Sequence, residues 1–456
     1  MTPSETSRVI GLETEYGITC ASTAAGVAPM NAEAAAAELF APLQQQYRST
    51  NVFLPNGGRM YLDVGSHPEY ATAECGDPMT LLAHDRAGDM LFAAMLQQVN
   101  LSLTERGMPG VLHLMRNNLD AAGNSCGCHE NYLIRRDKKF INNLPPLITH
   151  LVTRQLYTGA GHLGADGRYY LSQRPFVIND VYSRATTDSK PIVNTRDEPL
   201  SGGEKYRRLH IIVGDSNVGQ YPTYMKVATT TLLLDALESG DLDNNELARL
   251  ELADPLNALR EISANPDSMV QTAAGEHLKA VELQLRIVSM LKTVISDTDS
   301  WRSRCLIEWG ELLAALSAGD VESITPKVDY LAKQRILKQM QNRADGKLSH
   351  NQLLRLELAY HEIGNSGLRE KMEAAGLLAT LLPGGAAESA QKTPPKNTRA
   401  NIRGKLLSAA ERAGIGVAAD WMHIRFEPEN LPDISLEDPL EYDSVFSRQV
   451  LEQLHG

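Results

Sequence analysis

The sequence predicts an α+β fold, in which a large domain with a concave antiparallel β-sheet and helices precedes a small C-terminal α/β domain. Short segments of alternating apolar and polar residues, typical of strands, are concentrated between residues 8 and 215. Residues from about 222 to 378 instead carry apolar side chains at three- and four-residue spacing, which is typical of helices. Strands grouped before helices favour an α+β arrangement over a parallel, doubly wound sheet.

The first part of the chain divides into strands and two helices. Residues 8–20 predict one strand with alternating faces, and residues 31–47 predict an Ala-rich helix with Asn31 as its N-cap. A strand over residues 59–65 and a long helix over about 78–106 follow. Further short β segments are predicted at residues 111–118, 129–136, 168–174, 190–196 and 207–215.

One break in composition suggests where the large domain ends. Residues 383–398, PGGAAESAQKTPPKNT, are rich in Pro, Gly, Ser and Thr, which predicts a linker or mobile loop. We therefore expect a large domain over residues 1–382 and a small domain over residues 399–456. The small domain is predicted to contain a helix over 400–413, a strand around GVAADWMHIRF and a helix over 440–455.

The composition excludes several classes of protein. The formal net charge of −12 argues against nucleic acid as the main partner, because phosphate binding needs a basic surface. No apolar run approaches the roughly 20 residues that span a bilayer, so we expect no membrane association. The N-terminus lacks the apolar stretch of a secretory signal, and five scattered cysteines do not form a disulfide framework. These features predict a cytoplasmic protein.

The first candidate site motif is Glu13-x-Glu15. Residues two apart in a strand share a face, so both carboxylates point the same way while Leu12 and Thr14 point to the other side. Such a pair on a buried sheet repels unless a cation lies between the carboxylates, and oxygen ligands of this kind suit Mg²⁺. The alternative interpretation is a solvated strand face with two ordinary glutamates.

The second motif, RMYLD, repeats this pattern. Alternation places Arg59, Tyr61 and Asp63 on one face, and the segment His67-Pro68-Glu69 follows immediately. A cation for phosphate, a carboxylate for proton transfer and a carboxylate for metal thus lie within eleven residues. The alternative is an Arg–Asp pair on the surface, which contributes little to stability.

Later strands offer groups of the same kind. His129 shares a face with Asn131, and Arg208 shares a face with His210. A single strand histidine is more often a structural residue than a ligand. Because each of these strands carries a ligand, a cation or a carboxylate on one face, the pattern indicates a concave sheet whose inner face binds a metal–nucleotide complex.

Several longer segments resemble one known family, the Pup ligases (PafA). The segments are GLETEYG, NVFLPNGGRMYLDVGSHPEYATAEC, AGNSCGCHENYL, NTRDEP, KYRRLHIIVGDSN and TRANIRGKLLSAA with DWMHIR. The resemblance extends from residue 8 to about residue 425. It implies a glutamine synthetase-like carboxylate–amine ligase fold. It also implies that ATP phosphorylates the C-terminal glutamate of the small protein Pup, whose acyl phosphate is then attacked by a lysine of a target protein.

The resemblance also implies roles for individual residues. Glu13, Glu69 and the backbone oxygen of Tyr61 are expected to bind Mg²⁺, and Asp63 is the expected proton acceptor for the lysine amine. The metal and phosphate environment is completed by Glu15, His129 and His210. The expected ATP contacts are Arg59, Thr72 and Trp421, and the expected contacts to phosphate or the Pup carboxylate are Arg207 and Arg208.

Two other activities fit the same scaffold. The sister enzyme of the family, Dop, removes Pup or deamidates its C-terminal glutamine, and it carries a long insertion after the first strand. Here only about 30 residues separate Cys20 from Asn51, and the local sequence YLDVGSHPEYATAE resembles the ligase. A small-molecule γ-glutamyl ligase is the other alternative, and the DWMHIR segment argues against it.

Overall fold

The computed structural model describes most of the chain between Arg8 and His455. It leaves out residues 1–7, 25, 27, 121–122, 185–188, 197–199, 201–202, 296–299, 365–366, 428–430 and 456. Part of the motif NTRDEP therefore lies outside the described residues. No helix within the described part is both long enough and apolar enough to cross a membrane.

The described residues form eighteen strands. In chain order they are β1 (Ile10–Glu15), β2 (Gly17–Ser22), β3 (Asn51–Phe53), β4 (Arg59–Asp63), β5 (His67–Ala71), β6 (Gly110–Met115), β7 (Cys128–Arg135), β8 (His162–Leu163), β9 (Tyr169–Tyr170), β10 (Asp180–Ser183), β11 (Pro191–Asn194), β12 (Tyr206–Ile211), β13 (Met269–Gln271), β14 (His277–Lys279), β15 (Glu362–Ile363), β16 (Gly416–Ala419), β17 (His423–Glu427) and β18 (Ile434–Ser435).

Helices connect and cover these strands. They are α1 (Ala32–Tyr47), α2 (Pro78–Glu105), α3 (Leu144–Thr153), α4 (Gln155–Thr158), α5 (Gln220–Ser239), α6 (Asn244–Leu250), α7 (Pro255–Ala264), α8 (Ala280–Val294), α9 (Trp301–Ala318), α10 (Val321–Ile324), α11 (Asp329–Arg343), α12 (His350–His361), α13 (Leu368–Ala374), α14 (Ala386–Ala390), α15 (Ala400–Ala413) and α16 (Val445–His455). Short 3₁₀ helices occur at Lys138–Asn143, Arg174–Phe176 and Thr325–Lys327. As predicted, the Asn31 side chain caps α1 by accepting a hydrogen bond from the Ala34 amide.

An eight-stranded sheet organises the part of the chain before α5. Its strand order is β10-β11-β12-β7-β1-β5-β4-β3, and every neighbouring pair is antiparallel except β10 and β11. One face of its central strands packs on helices such as α3 and α5, through a core that includes Leu12, Tyr132 and Leu209. The opposite face carries the polar side chains of β1, β7 and β12.

The segment predicted as one strand over residues 8–20 is two strands in two sheets. β1 lies in the large sheet, whereas β2 pairs with β6 in a three-stranded sheet of order β15-β6-β2. The chain changes sheets at Tyr16, whose amide donates to the Pro68 carbonyl at 2.8 Å. The alternation of buried and exposed side chains continues through this point, so the pattern alone does not reveal the break.

A buried network of charges holds this junction. The Tyr16 hydroxyl donates to Asp89 of α2 at 2.7 Å, and Asp89 also accepts from Arg116 at 3.1 Å and from Arg369. Arg116 donates in addition to both carboxylate oxygens of Asp85, at 2.8 Å. Because the charges are buried and paired, removal of one partner leaves an uncompensated charge. The network therefore fixes the residue that directly follows Glu15.

The C-terminal residues form a compact unit of their own. A three-stranded sheet, β16-β17-β18, packs on α15 and α16 through a core that includes Leu406, Ile424 and Phe426. The segment predicted as one strand around GVAADWMHIRF is a hairpin of β16 and β17. The Asp420 carboxylate accepts from the amides of Met422 and His423, both at 2.7 Å, which stabilises the turn.

The segment 383–398 is packed against the large domain. It contains α14, which contacts α2, and the Ala390 carbonyl accepts a hydrogen bond from Asn56 Nδ2 at 2.9 Å. It is thus an ordered connection with a short helix and not an extended linker. The division into 1–382, 383–398 and 399–456 stays a prediction.

The close packing of α2 on β5 generates a test of the fold. A Cβ at Gly88 of α2 would lie 2.2 Å from the Tyr70 ring, whereas a Cβ at Gly310 of α9 would have no neighbour closer than 3.8 Å. We expect Gly88→Ala to lower the free energy of unfolding by about 1–3 kcal/mol, because overpacking forces α2 away from β5.

The matched variant Gly310→Ala should raise the free energy of unfolding by about 0.5–1 kcal/mol, because alanine loses less conformational entropy in a helix. Chemical denaturation of the two variants provides the comparison. Equal effects in both variants would contradict the close packing of α2 against Tyr70.

Candidate active site

The register of β1 between β5 and β7 brings acidic side chains together. Glu15 lies opposite Glu69 of β5, and Glu13 lies opposite His129 of β7. Tyr61 of β4 in turn lies opposite Glu69. The predicted common face of Glu13 and Glu15 is therefore present, and the pairing of β1 with β5 adds Glu69 to it.

Three carboxylates form one cluster on this face. Oxygens of Glu15, Asp63 and Glu69 all lie within 4.8 Å of one another. Burial, together with the negative charges of Glu13 and Glu15, raises the pKa of Glu69 well above its usual range. A cation at this position would offset that repulsion, and a set of carboxylate oxygens matches the ligands that Mg²⁺ prefers. The donor atoms therefore fit a hard divalent cation.

A second cluster adjoins the first and contains Glu13, His129 and His210. Their ligand atoms also lie within 4.8 Å of one another, and the two imidazole rings are 5.0 Å apart. Burial alone would raise the pKa of Glu13, but the nearby His129, whose Nδ1 lies 3.8 Å from Glu13 Oε2, and the charge of Arg208 outweigh it and lower that pKa. Glu13 is thus held as a carboxylate at neutral pH.

Arg208 is tied to this cluster, whereas Arg207 is not. Arg208 Nη1 donates to Asn131 Oδ1 at 3.0 Å and to Glu13 Oε1 at 3.3 Å. Asn131 Oδ1 also lies 2.9 Å from His210 Nδ1. Alternation along β12 puts Arg207 on the opposite face, where its Nη2 lies 3.5 Å from the Thr195 carbonyl. The side chains of Arg207 and Arg208 therefore point to different faces, and a contact of Arg207 with phosphate or the Pup carboxylate stays a prediction.

A pocket opens beside the Glu13 end of the face. It holds about 600 Å³ of empty space, part of it open to solvent, and its lining includes Thr72, Arg208 and Trp421. The Thr72 hydroxyl accepts from the Leu12 amide at 3.1 Å, which ties the wall of the pocket to β1. Arg208 reaches both the pocket and Glu13, so a ligand in the pocket can extend toward the carboxylates.

Aromatic rings surround Trp421, which lines this pocket. The Trp421 ring packs edge-on against Phe53 with centroids 4.9 Å apart. The Arg59 guanidinium lies 4.0 Å from the centroid of the Tyr61 ring and 5.8 Å from that of Phe53. Arg59 and Trp421 thus both lie beside Phe53, and their contact with ATP stays a prediction.

The sequence reasoning missed two arginines of α15 and its N-cap that lie beside the pocket, Arg399 in its lining and Arg403 next to it. Arg399 donates to Glu74 at 2.8 Å, to the Leu436 carbonyl at 2.8 Å and to the Leu200 carbonyl at 2.7 Å. Arg403 also donates to Glu74, and its Nη1 donates to the Trp421 carbonyl at 3.0 Å.

These contacts hold Trp421 in the pocket wall. The sequence contains one signal for them, because residues 399 and 403 are spaced by one helical turn at the start of α15 and so share a face. Nothing in the sequence indicates that their common partner is Glu74, more than 300 residues earlier.

Comparison with known proteins agrees with this arrangement. A family model described as Pup-ligase protein matches residues 8–425. The Pup–protein ligases of Actinosynnema mirum and Mycobacterium tuberculosis are each 39% identical to the chain, over 440 and 442 residues. Each match covers 95% of this chain and 96% of the relative.

The chain belongs to the Pup ligase family. Two solved structures of the Pup ligase PafA agree with its fold, each at 32% identity. The structure described as a complex with Pup has a TM-score of 0.89 and covers 98% of this chain and 91% of that chain. The structure described as a complex with ADP has a TM-score of 0.82 and covers 95% of both chains. The predicted α+β class and the predicted Pup ligase resemblance are thereby confirmed.

The position of Trp421 generates a prediction about nucleotide binding. If adenine packs on this indole, Trp421→Ala should weaken nucleotide binding about fivefold, since an aromatic stacking contact contributes about 1 kcal/mol. Fluorescence or calorimetric titration with ATP provides the measurement.

A matched control is Trp301→Ala, because Trp301 begins α9 and does not line this pocket. This variant should bind ATP like the unmodified protein. An unchanged ATP affinity in Trp421→Ala would remove the indole from the nucleotide site.

Proposed function

We propose that this protein is an ATP-dependent Pup–protein ligase. It forms an isopeptide bond between the γ-carboxylate of the C-terminal glutamate of Pup and the ε-amine of a target lysine. The observation that carries the proposal is that the carboxylates of the large sheet lie next to the pocket. The chain that contains this arrangement belongs to the Pup ligase family. ATP first phosphorylates the glutamate, and the lysine amine then displaces phosphate from this γ-glutamyl phosphate.

Mg²⁺ accompanies the nucleotide in this proposal. Glu13, Glu69 and the backbone oxygen of Tyr61 would hold it, and Glu15, His129 and His210 complete the surroundings. The raised pKa of Glu69 supports this assignment, because burial and the nearby carboxylates of Glu13 and Glu15 both disfavour its negative charge. When bound, Mg²⁺ neutralises negative charge on the phosphates during transfer. Arg208 adds a fixed positive charge between the pocket and Glu13.

The adenosine part of ATP is assigned to the aromatic end of the pocket. Trp421 and Arg59 gather around Phe53, and Thr72 lies in the wall nearer to Glu13. This arrangement supports a nucleotide whose base contacts Trp421 and whose phosphates point toward the carboxylates. Arg207 lies on the opposite face of β12, so its contact with phosphate or the Pup carboxylate stays a prediction.

Asp63 is the proposed proton acceptor for the lysine amine. A lysine amine has a pKa near 10.4 and is almost wholly protonated at neutral pH, so its proton must leave before the amine attacks. Asp63 is the last residue of β4, and the turn that follows it is exposed. This position supports access for a lysine from solvent while the carboxylate stays beside Glu15 and Glu69.

The proposed partners are Pup and lysine-bearing target proteins, which Pup marks for proteasomal degradation. The five cysteines are free and buried, which supports a reducing, cytoplasmic setting. The segment between β2 and β3 contains α1 and spans residues 23–50. Its short length supports ligation over removal of Pup, which the related Dop enzyme performs.

The activity is tested by incubating the protein with ATP, Mg²⁺ and a Pup that ends in glutamate, together with a lysine-bearing target. Mass spectrometry should detect a lysine-linked adduct and ADP in equal amounts. A parallel reaction supplies a ready-made Pup–lysine conjugate and a Pup that ends in glutamine. Release or deamidation in these reactions, with no adduct from the first, would overturn the proposal in favour of a Dop-like hydrolase.

The role of Asp63 predicts the behaviour of Asp63→Asn. The amide keeps the shape of the side chain but cannot accept a proton, so the conjugation rate should fall by at least about 100-fold. The affinity for ATP should stay within about twofold of that of the unmodified protein, which is a change in binding free energy of less than about 1 kcal/mol. Conjugation near the normal rate would exclude Asp63 as the proton acceptor, and a large loss of ATP affinity would instead identify it as a metal ligand.

The metal assignment predicts the behaviour of Glu13→Gln and Glu69→Gln. Each substitution removes a charged ligand from a hard cation, so the affinity for ATP with Mg²⁺ should fall at least about tenfold. Loss of a residue that only contacts a metal ligand already lowers metal affinity about 10- to 100-fold, so loss of a ligand itself should cost at least as much. Glu33→Gln, at the exposed start of α1, is the matched control and should bind normally. Normal affinity in both site variants would contradict the metal assignment.

A further inference from the structure

A third group of side chains that could bind a metal lies beside the carboxylate cluster. It shares Glu15 with that cluster, and its other members have no part in the proposed reaction. Its members are Glu15, His67 and Cys126, whose ligand atoms all lie within 4.8 Å of one another. His67 Nδ1 is 3.1 Å from Glu15 Oε2. Cys126 is buried, and His67 is half-buried next to the exposed β4–β5 turn.

The backbone holds the Cys126 thiol in this position. The Cys126 amide donates to the Asn118 carbonyl at 3.1 Å, and Asn118 Nδ2 donates to the Cys126 carbonyl at 2.9 Å. The next residue, Gly127, accepts a hydrogen bond from the Glu15 amide at 3.0 Å. A Cβ at Gly127 would lie 2.3 Å from His129 Nε2 and 2.8 Å from Glu15 Oε1, so a side chain at this position would displace those two groups.

The donor atoms differ in kind from those of the neighbouring cluster. Glu15, Asp63 and Glu69 offer oxygen alone, which suits Mg²⁺, whereas this group offers one sulfur, one nitrogen and one oxygen. Thiolate and imidazole ligands favour Zn²⁺ and similar cations over Mg²⁺. Around a tetrahedral Zn²⁺, ligand atoms lie about 3.3–3.8 Å apart, so side-chain rotations of about 1 Å bring this group into range.

Two cationic side chains oppose metal binding here. Arg174 Nη1 lies 3.4 Å from the Cys126 carbonyl, and Lys190 Nζ donates to Ser125 Oγ at 2.6 Å. The cation would in turn face the Cys126 thiolate and Glu15 directly, with Asp63 and Glu69 close to Glu15. Three anionic groups, namely Glu15, Asp63 and the thiolate that forms on binding, therefore oppose two cationic ones, which leaves the local charge in favour of a divalent cation.

We propose that Glu15, His67 and Cys126 form a binding site for a thiophilic divalent cation of the Zn²⁺ class. Binding replaces the thiol proton of Cys126, which is released to solvent, and leaves a fourth coordination position for water. Because Glu15 also belongs to the oxygen cluster, an occupied site withdraws that carboxylate from its neighbours. Zn²⁺ is therefore expected to inhibit the proposed ligase reaction. The three ligands of this site do not line the nucleotide pocket.

The test measures metal binding directly, on the full chain without nucleotide, so it does not depend on the proposed activity. Zn²⁺ titrated against a competing chelator should show one tight site in the unmodified protein. Cys126→Ser should lower its affinity by about 100-fold or more, since losing even an outer-shell partner costs about 10- to 100-fold. Co²⁺ bound in place of Zn²⁺ should give a sulfur-to-cobalt charge-transfer band that Cys126→Ser lacks.

Cys128→Ser is the matched control, because Cys128 is also buried but its sulfur contacts Thr14 on the core face. It should keep both Zn²⁺ affinity and the charge-transfer band. His67→Gln is a second variant and should also weaken Zn²⁺ binding, with its folding checked by circular dichroism. The proposal is overturned if the unmodified protein binds no Zn²⁺, or if Cys126→Ser or a folded His67→Gln binds Zn²⁺ as tightly as the unmodified protein.

Discussion

The placement of β1 between β5 and β7 is the constraint on which the rest of the site depends. Its register puts Glu13 beside His129 and Glu15 beside Glu69, while Leu12 faces the hydrophobic core on the other side of the sheet. A slip of one residue would exchange these two sets and bury the carboxylates among apolar side chains. The buried core therefore holds carboxylates together against their own repulsion, and this stored repulsion is what favours a cation.

A second constraint links this face to the C-terminal elements around α15. The Glu74 carboxylate receives Arg399 and Arg403 of α15, and Arg403 in turn holds the backbone of Trp421. Because these charges are buried and paired, separation of α15 from Glu74 would leave this carboxylate without compensation. The pocket is thus completed by residues from both ends of the chain, and the same interaction fixes its aromatic wall.

Strand alternation explains why much of the site could be predicted from the sequence. The common face of Glu13 and Glu15 and the N-cap of α1 follow from local spacing. The break at Tyr16 could not be predicted, because the alternation continues across it. The Glu74 contacts and the approach of Cys126 to Glu15 depend on long-range pairing that no local pattern records.

The central claim is that a cation joins the carboxylate face to a nucleotide in the adjoining pocket. The most direct test is calorimetric titration of ATP into the protein with Mg²⁺ and, separately, with a chelator that removes divalent cations. The account predicts that ATP affinity falls at least about tenfold without the cation, a loss of about 1.4 kcal/mol or more. Equal ATP affinity under both conditions would contradict it.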